Sequence, residues 1–335
     1  MIPSINREIH LKSRPNGVPS EENFELVELP APRAGDGEIL VQNEWMSVDP
    51  YMRGRMRETK SYTPPFEIGK PLEGACIGKV IESKSEDFAE GDYVLGNLGW
   101  RELWASTGKS VEKLSQGNVP IQSYLSVLGM TGMTAFVGLM RIAEIKEGER
   151  IFVSAASGAV GSVACQIAKI RNCYVVGSAG SASKINWLKA NANVDAAFNY
   201  HETDNLSERL AELFPEGIDV YFDNVGGDHL EAAIDNMRDF GRIVCCGMIS
   251  GYNDESMPAG PKNLSNVISK RLRMHGFIVR DHVSDRKEFE RVMVQWVEGK
   301  RITWEETISE GLHLAPAAFI NLFSGNKTGK ALVKL

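Results

Sequence analysis

The chain has 335 residues, 43% of them apolar and 24% charged, with 37 Lys and Arg against 44 Asp and Glu for a net charge of −7. This is the profile of an ordinary globular protein of about two domains, and it excludes disordered, collagen-like and disulfide-scaffold readings. A net negative chain with no long Lys/Arg cluster lacks the electrostatic footprint of a phosphate-backbone binder, so nucleic acid is not expected as a partner.

In chain order, the first ten residues reach Arg7 and Glu8 before any apolar core, so no signal peptide is expected. Residues up to about 110 alternate turn punctuation such as Arg14-Pro15-Asn16-Gly17, Gly35-Asp36-Gly37 and Glu90-Gly91-Asp92 with short β-branched runs such as Ile39-Leu40-Val41. That pattern predicts an all-β barrel-like or sandwich-like unit. Two uncharged stretches, Leu114 to Met140 and Ile151 to Ala168, are interrupted by polar residues, proline or glycine and read as buried protein segments, with no membrane span expected. The five cysteines, at 76, 165, 173, 245 and 246, have no ligand-like spacing, which suits a reduced, cytoplasmic setting.

From Arg150 the rhythm changes to strands at 151–154, 174–177, 196–198, 218–223 and 242–246, alternating with helices at 159–170, 183–190, 205–213 and 228–238. Alternation of this kind predicts βαβ units on a doubly wound parallel sheet, an α/β Rossmann architecture. A helix near 285–298 and a final strand, Lys330 to Leu335, follow. In the first of the helices Val160, Val163, Ala164, Ile167 and Ala168 line one face, which can cover a sheet.

The first strand runs directly into Ala155-Ala156-Ser157-Gly158-Ala159-Val160-Gly161, a dinucleotide fingerprint whose first glycine is replaced by Ala156. Gly158 would let the backbone approach a pyrophosphate, Gly161 would let the helix pack closely on the strand, and the phosphates would sit at the helix N-terminus. The competing reading is a βα turn that uses glycine for packing alone. The next strand bears on the choice. An NAD site expects an Asp or Glu about 20 residues past the glycines, yet Arg150 through Val194 contains neither. Gly177-Ser178-Ala179-Gly180-Ser181-Ala182-Ser183-Lys184 offers hydroxyls and one ammonium instead, so the expected cofactor is NADP(H). Helix capping by Ser181 or Ser183 and a solvated role for Lys184 are the plainer alternatives.

The first 125 residues contain one histidine, His10, and one cysteine, Cys76, too few for a zinc alcohol dehydrogenase site, and no metal is expected. No G-x-S-x-G elbow occurs, which argues against a serine hydrolase. The six histidines, 10, 201, 229, 275, 282 and 313, are scattered and read as surface or packing residues.

Eight segments are similar to one known family: Val48-Asp49-Pro50-Tyr51-Met52-Arg53-Gly54-Arg55-Met56, the run Leu128 to Ala135, residues 155–162, Phe198-Asn199-Tyr200, Phe222-Asp223-Asn224-Val225-Gly226-Gly227, the run Cys246 to Asn253, Phe277-Ile278-Val279, and Gly325 to Lys330. The chain resembles the medium-chain dehydrogenase/reductase superfamily, in its zinc-free, NADPH-dependent enone and alkenal reductase branch, which includes prostaglandin reductases, plant double-bond reductases and bacterial curcumin reductase. Trp45 departs from the family, where tyrosine is frequent at that position; a reshaped pocket wall and plain core packing are the two readings.

The resemblance implies a GroES-like substrate domain over residues 1–125, rejoined by 310–335, and a Rossmann domain over 126–309, with substrate entering between them. It assigns the pyrophosphate contact to Ala159, Val160, Gly161 and Ser162, next to Gly158 of the fingerprint, and the 2′-phosphate to Lys184 and Tyr200, with Ser181 in the acid-free loop read above. It places Asn224, the loop Cys246, Gly247, Met248, Ile249, Ser250 and Tyr252, the presumed strand Phe277-Ile278-Val279, and Asn326 around the ribose and nicotinamide. Tyr51 and Tyr252 match tyrosines of the substrate pocket. It also implies a homodimer.

Without zinc, direct reduction of an unactivated ketone is hard, whereas a conjugated enone accepts hydride at its β-carbon and places the developing charge on oxygen. The protein then needs an apolar cleft and a donor aimed at that oxygen. Tyr252 is the expected donor and catalytic residue, with solvent able to protonate the α-carbon. The expected activity is reduction of hydrophobic unsaturated aldehydes and ketones; an NADPH quinone reductase and a non-catalytic, crystallin-like NADPH-binding protein are the alternatives.

Overall fold

Turn residues cut the first part of the chain into short strands: β1 (Ile5–Leu11), β2 (Phe24–Pro30), β3 (Ile39–Ser47), β4 (Cys76–Ser83), β5 (Tyr93–Gly96), β6 (Leu103–Ser106) and β7 (Glu112–Leu114). The computed structural model describes residues 3–115, 117–256, 259–325 and 327–335. Two compact units result: residues 1–125, 306–327 and 331–335 form one, and residues 126–305 with 328–330 form the other.

In the first unit β1 and β2 pair antiparallel, and β3, β4, β5 and β7 continue a sheet that also takes in two strands from the end of the chain, Glu306–Glu310 and Lys330–Lys334. The closing strand aligns Leu332 with Ser47 and Lys334 with Trp45. Trp45 packs against the small cluster of Ile77, Leu114, Leu125 and Leu332. The main core is organised by Trp100, which is fully buried, stacks on Phe24 at 5.9 Å and meets Phe319 edge-on at 6.1 Å. Aromatic pairs at these separations contribute about 1 kcal/mol beyond their buried area.

The second unit carries β8 (Arg150–Val153), β9 (Tyr174–Ala179), β10 (Ala196–Asn199), β11 (Ile218–Asp223), β12 (Met237–Cys245) and β13 (Arg273–Gly276). They form one parallel sheet in the order β10-β9-β8-β11-β12-β13, the doubly wound arrangement. Central strands covered on both faces must be apolar along their whole length. Ile151, Phe152 and Val153 of β8 and Val220, Tyr221 and Phe222 of β11 are accordingly at most 0% exposed. Phe152 stacks on Tyr221 at 4.9 Å and on Phe198 at 6.1 Å.

The helix Gly161–Ile170 is buried from Gly161 to Ala168, more completely than one apolar face predicts. Its outer side is covered by the helix Met130–Val137 and by Thr303, whose backbone N–H donates to Gln166 Oε1 at 2.8 Å. Two expectations need correction. The helix predicted at 228–238 ends at Asn236 and β12 begins at Met237, because residues between the Ile218–Met237 and Val220–Arg242 pairs bulge out of register. Phe277-Ile278-Val279 is not a strand. β13 stops at Gly276 because its neighbour β12 ends at Cys245; Phe277 and Ile278 follow as irregular chain, and Val279 opens a 3-10 turn.

Candidate active site

In a doubly wound sheet, ligands bind outside the carboxyl ends of the strands where the winding reverses. Here that point lies between β8 and β11. The segments leaving these two strands, 154–160 and 223–227, hold Gly158, Ala159, Val160 and Asn224 of the predicted site.

After β8, Ala155 takes a left-handed φ of 46° and turns the chain toward the helix. A Cβ on Gly161 would collide with the Ala155 carbonyl and lie 2.8 Å from Ala156 Cα, so only glycine permits this strand and helix to approach so closely. A Cβ on Gly158 would meet only the Ala155 carbonyl, at 3.2 Å, leaving its other side open for a ligand. Ala156, the departure from the fingerprint, is accommodated by Gly177 of β9: a Cβ there would sit 2.7 Å from the Ala156 methyl. Gly329, in the last of the resemblance segments, donates its N–H to the Ser157 carbonyl at 2.8 Å and steadies the turn from outside the helix. Ala159, Val160 and Ser162 follow Gly158 in the same turn, with Ser162 buried.

The segment after β9 brings together Ser181, Ser183 and Lys184. Ser181 occupies the capping position of the helix Ala182–Asn191, but its hydroxyl makes no capping bond and lies 3.1 Å from the Ser183 hydroxyl. Lys184 is only 9% exposed, so it is not part of a solvated face, and burial lowers its pKa. Burial of an ammonium disfavours its charged form, and a nearby anion favours it. Tyr200 follows β10, and its hydroxyl oxygen lies 3.0 Å from the position of a Cβ on Gly180. A cavity of 540 Å³ opens nearby between Ala182, Asn186, Phe198 and Asn205, but Glu202, Asp204, Glu208 and Glu212 line it, which disfavours a phosphate there.

The turn after β11 is held by a network that sequence reasoning did not single out. Asp223 is fully buried. Its Oδ1 accepts from the Tyr221 hydroxyl at 2.7 Å, Gly226 N–H at 2.8 Å and Val225 N–H at 3.0 Å. Burial raises the Asp223 carboxyl pKa, and these donors act against that rise. Ser154 Oγ accepts from Asn224 N–H at 3.0 Å, and Asn224 Nδ2 donates to the Ser154 carbonyl at 2.7 Å. Asn224 is thus locked to the end of β8.

The same turn fixes the loop after β12. The Asp223 carbonyl accepts from Cys246 and Gly247, the Asn224 carbonyl from Ile249, and the Val225 carbonyl from Ser250. Met248 N–H donates to the Tyr252 hydroxyl at 3.4 Å, folding that ring back over the loop. Asn224 and the run Cys246 to Tyr252 are therefore one structural piece. Phe277 lies 3.3 Å from the position of a Cβ on Gly138, with Ile278 and Val279 next in the chain.

In the first unit, Tyr51 precedes the short helix Met52–Arg55 and packs on the main core. Burial, reinforced by the Asp49 charge, raises its pKa. Arg53 donates to the Gly17 carbonyl at 2.8 Å, while Arg55 donates to the Pro64 carbonyl at 2.8 Å, reaches Glu73 at 2.8 Å and covers the Phe66 ring at 4.0 Å. The arginines of the Val48-to-Met56 segment thus tie down neighbouring loops. Asn326 lies outside the described residues. Among the described residues no group of three or more His, Cys, Asp or Glu is placed to hold a metal.

Residues 7–114 match the family described as the N-terminal domain of oxidoreductase, and residues 159–299 the family described as zinc-binding dehydrogenase. The NADP(+)-dependent 2-alkenal reductase of Nicotiana tabacum is 42% identical over 98% of this chain and 97% of its own. The NADPH-dependent curcumin reductase of Escherichia coli is 40% identical over the same shares. The crystal structure of CurA from Vibrio vulnificus in complex with NADPH superposes with a TM-score of 0.92 at 39% identity, covering 98% of each chain. The chain belongs to the medium-chain dehydrogenase/reductase superfamily, in its zinc-free, NADP-dependent alkenal and enone reductase branch.

Proposed function

We propose that this chain uses NADPH to reduce the carbon–carbon double bond of α,β-unsaturated aldehydes and ketones. Full-length similarity at about 40% identity to reductases named for alkenal and curcumin carries this reading. The donor set suits the cofactor: an open Gly158, a buried Lys184 that gains from an anion, and no carboxylate between residues 150 and 194 to repel a 2′-phosphate. Gly158, Ala159, Val160, Gly161 and Ser162 would hold the pyrophosphate, Ser181, Lys184 and Tyr200 the 2′-phosphate, and Asn224, the Cys246-to-Tyr252 loop and Phe277-Ile278-Val279 the ribose and nicotinamide. Asn326 is proposed for the same group on the resemblance alone.

When bound, NADPH supplies the hydride. The chain's own part is to orient and to stabilise charge: the Tyr252 O–H donates to the substrate oxygen as negative charge grows there. Solvent protonates the α-carbon. Tyr51 and Tyr252 line the substrate pocket in this reading. An NADPH-consumption assay over alkenals, enones and quinones, with NADH as control, tests it. Turnover of alkenals with NADPH and weak activity with NADH are expected; reduction of quinones alone would overturn it.

A homodimer is part of the same reading. Phe240 is 69% and Ile268 81% exposed, and β13 is an edge strand of the sheet; exposed apolar side chains and an open sheet edge suit association with a second copy. Sedimentation as a monomer would contradict it. A cytoplasmic setting is supported by five free cysteines, two of them adjacent at 245 and 246. Among the described residues no helix is long and apolar enough to cross a membrane.

A further inference from the structure

We propose that His201 is a further specificity-determining residue for NADPH, donating from its imidazole to the 2′-phosphate beside Tyr200. The proposal rests on the cofactor reading above and extends it to a residue that neither the fingerprint nor the resemblance includes.

His201 follows Tyr200 in the 3-10 turn Tyr200–Glu202, and the turn is held by the Asn199 side chain, which accepts from His201 N–H at 3.1 Å. The two rings lie 4.2 Å apart, tilted by 44°. Tyr200 is braced from behind by His229, edge-on at 5.1 Å. This packing sets where both polar atoms point. The position of a Cβ on Gly180 is 3.0 Å from the Tyr200 hydroxyl oxygen and 3.3 Å from His201 Nε2. The Tyr200 hydroxyl and the Nε2 edge of the His201 ring thus both close on Gly180, next in the chain to Ser181, whose hydroxyl is paired with that of Ser183.

Gly180 permits this close approach, because any side chain there would press on both groups. A phosphate has three terminal oxygens and accepts from several donors at once, so hydroxyl and imidazole can serve the same group. Lys184 lies in the first turn of the neighbouring helix, and Glu202, exposed and next in the turn, is the nearest acid in sequence. His201 is itself exposed, so core packing does not demand an imidazole there.

Calorimetric titration of the full chain with NADP+ and NAD+ tests the assignment, using the unaltered protein, His201→Ala and His201→Gln. Loss of one hydrogen bond to a charged group should weaken NADP+ binding in His201→Ala by roughly tenfold, with NAD+ changed less than about twofold. His201→Gln presents an amide nitrogen at a comparable reach and should recover most of the loss. An unchanged NADP+ affinity, an equal loss for both nucleotides, or a failure of glutamine to recover binding would each overturn the proposal. Equal affinity of the unaltered protein for both nucleotides would instead overturn the cofactor assignment on which it stands.

Discussion

The Ser250 hydroxyl donates to the Val225 carbonyl at 2.6 Å, so of the two hydroxyls in the loop 246–252 it is that of Tyr252 which is proposed for the substrate oxygen. Its oxygen accepts from Met248 N–H, which orients the phenol while its proton can be offered to substrate. Removing one donor to a developing oxyanion costs on the order of a hundredfold in kcat. Tyr252→Phe should therefore lower kcat for an enone by ~10- to 100-fold, with the NADPH dissociation constant changed little. Steady-state kinetics with a nucleotide titration check this; unchanged kcat and KM would retire the role. At this scale the sequence is legible where chemistry is local. The absence of acids between 150 and 194, the small residues of the turn and Lys184 all lie within one short window. The Asp223 network was not legible, since its meaning depends on Tyr221, Val225 and Gly226 converging on one buried oxygen. His201 was unread for the same reason: its ring faces Gly180 only after two strands are laid side by side.

The βα units illustrate which patterns survive folding. The strand expected at 218–223 is β11, with the same bounds, because six residues dominated by apolar side chains between turn residues have few other fates. β12 starts five residues early and β13 occupies Arg273–Gly276, whose residues are mostly exposed and carry no alternation to betray them. An edge strand of this kind is defined by its partner's backbone, which periodicity does not report. The exchange of Ala156 for glycine is likewise a property of two elements, not one. Gly177→Ala would press a methyl against that of Ala156, and overpacking of this type costs about 1–3 kcal/mol. Denaturant unfolding should show this loss for Gly177→Ala and recovery of most of it in the Ala156→Gly, Gly177→Ala double variant. Additive losses would mean that the two positions do not share a methyl-sized space.

For the whole molecule, folding stability should depend on pH through His229. Burial, its largest cause, pushes the imidazole pKa down to about 4, and its Nε2 has no hydrogen-bond partner. An unfolded chain titrates near ~6.5. Between these values the unfolded state binds a proton that the folded state refuses, so stability falls as pH drops from about 6.5 toward 4, by up to ~3 kcal/mol. Above that window the residue adds no pH dependence. Melting curves at pH 7 and pH 4.5 should show a smaller loss of Tm in His229→Phe, which keeps the ring contacts with Phe152 and Tyr200; parallel losses would contradict the assignment.

The doubly wound parallel sheet was legible in the alternation of strands and helices from β8 to β12, and its observed order β10-β9-β8-β11-β12-β13 fixes the place where a dinucleotide belongs. The loop around Gly17 was less legible, because Arg53 anchors it through a carbonyl 36 residues away in sequence. The most direct measurement is a crystal structure of the chain grown with NADP+. It should show the pyrophosphate at the start of the helix Gly161–Ile170 and the 2′-phosphate within hydrogen-bond distance of Lys184 Nζ and the Tyr200 hydroxyl. A nucleotide bound elsewhere, or a 2′-phosphate turned to solvent away from both groups, would contradict it.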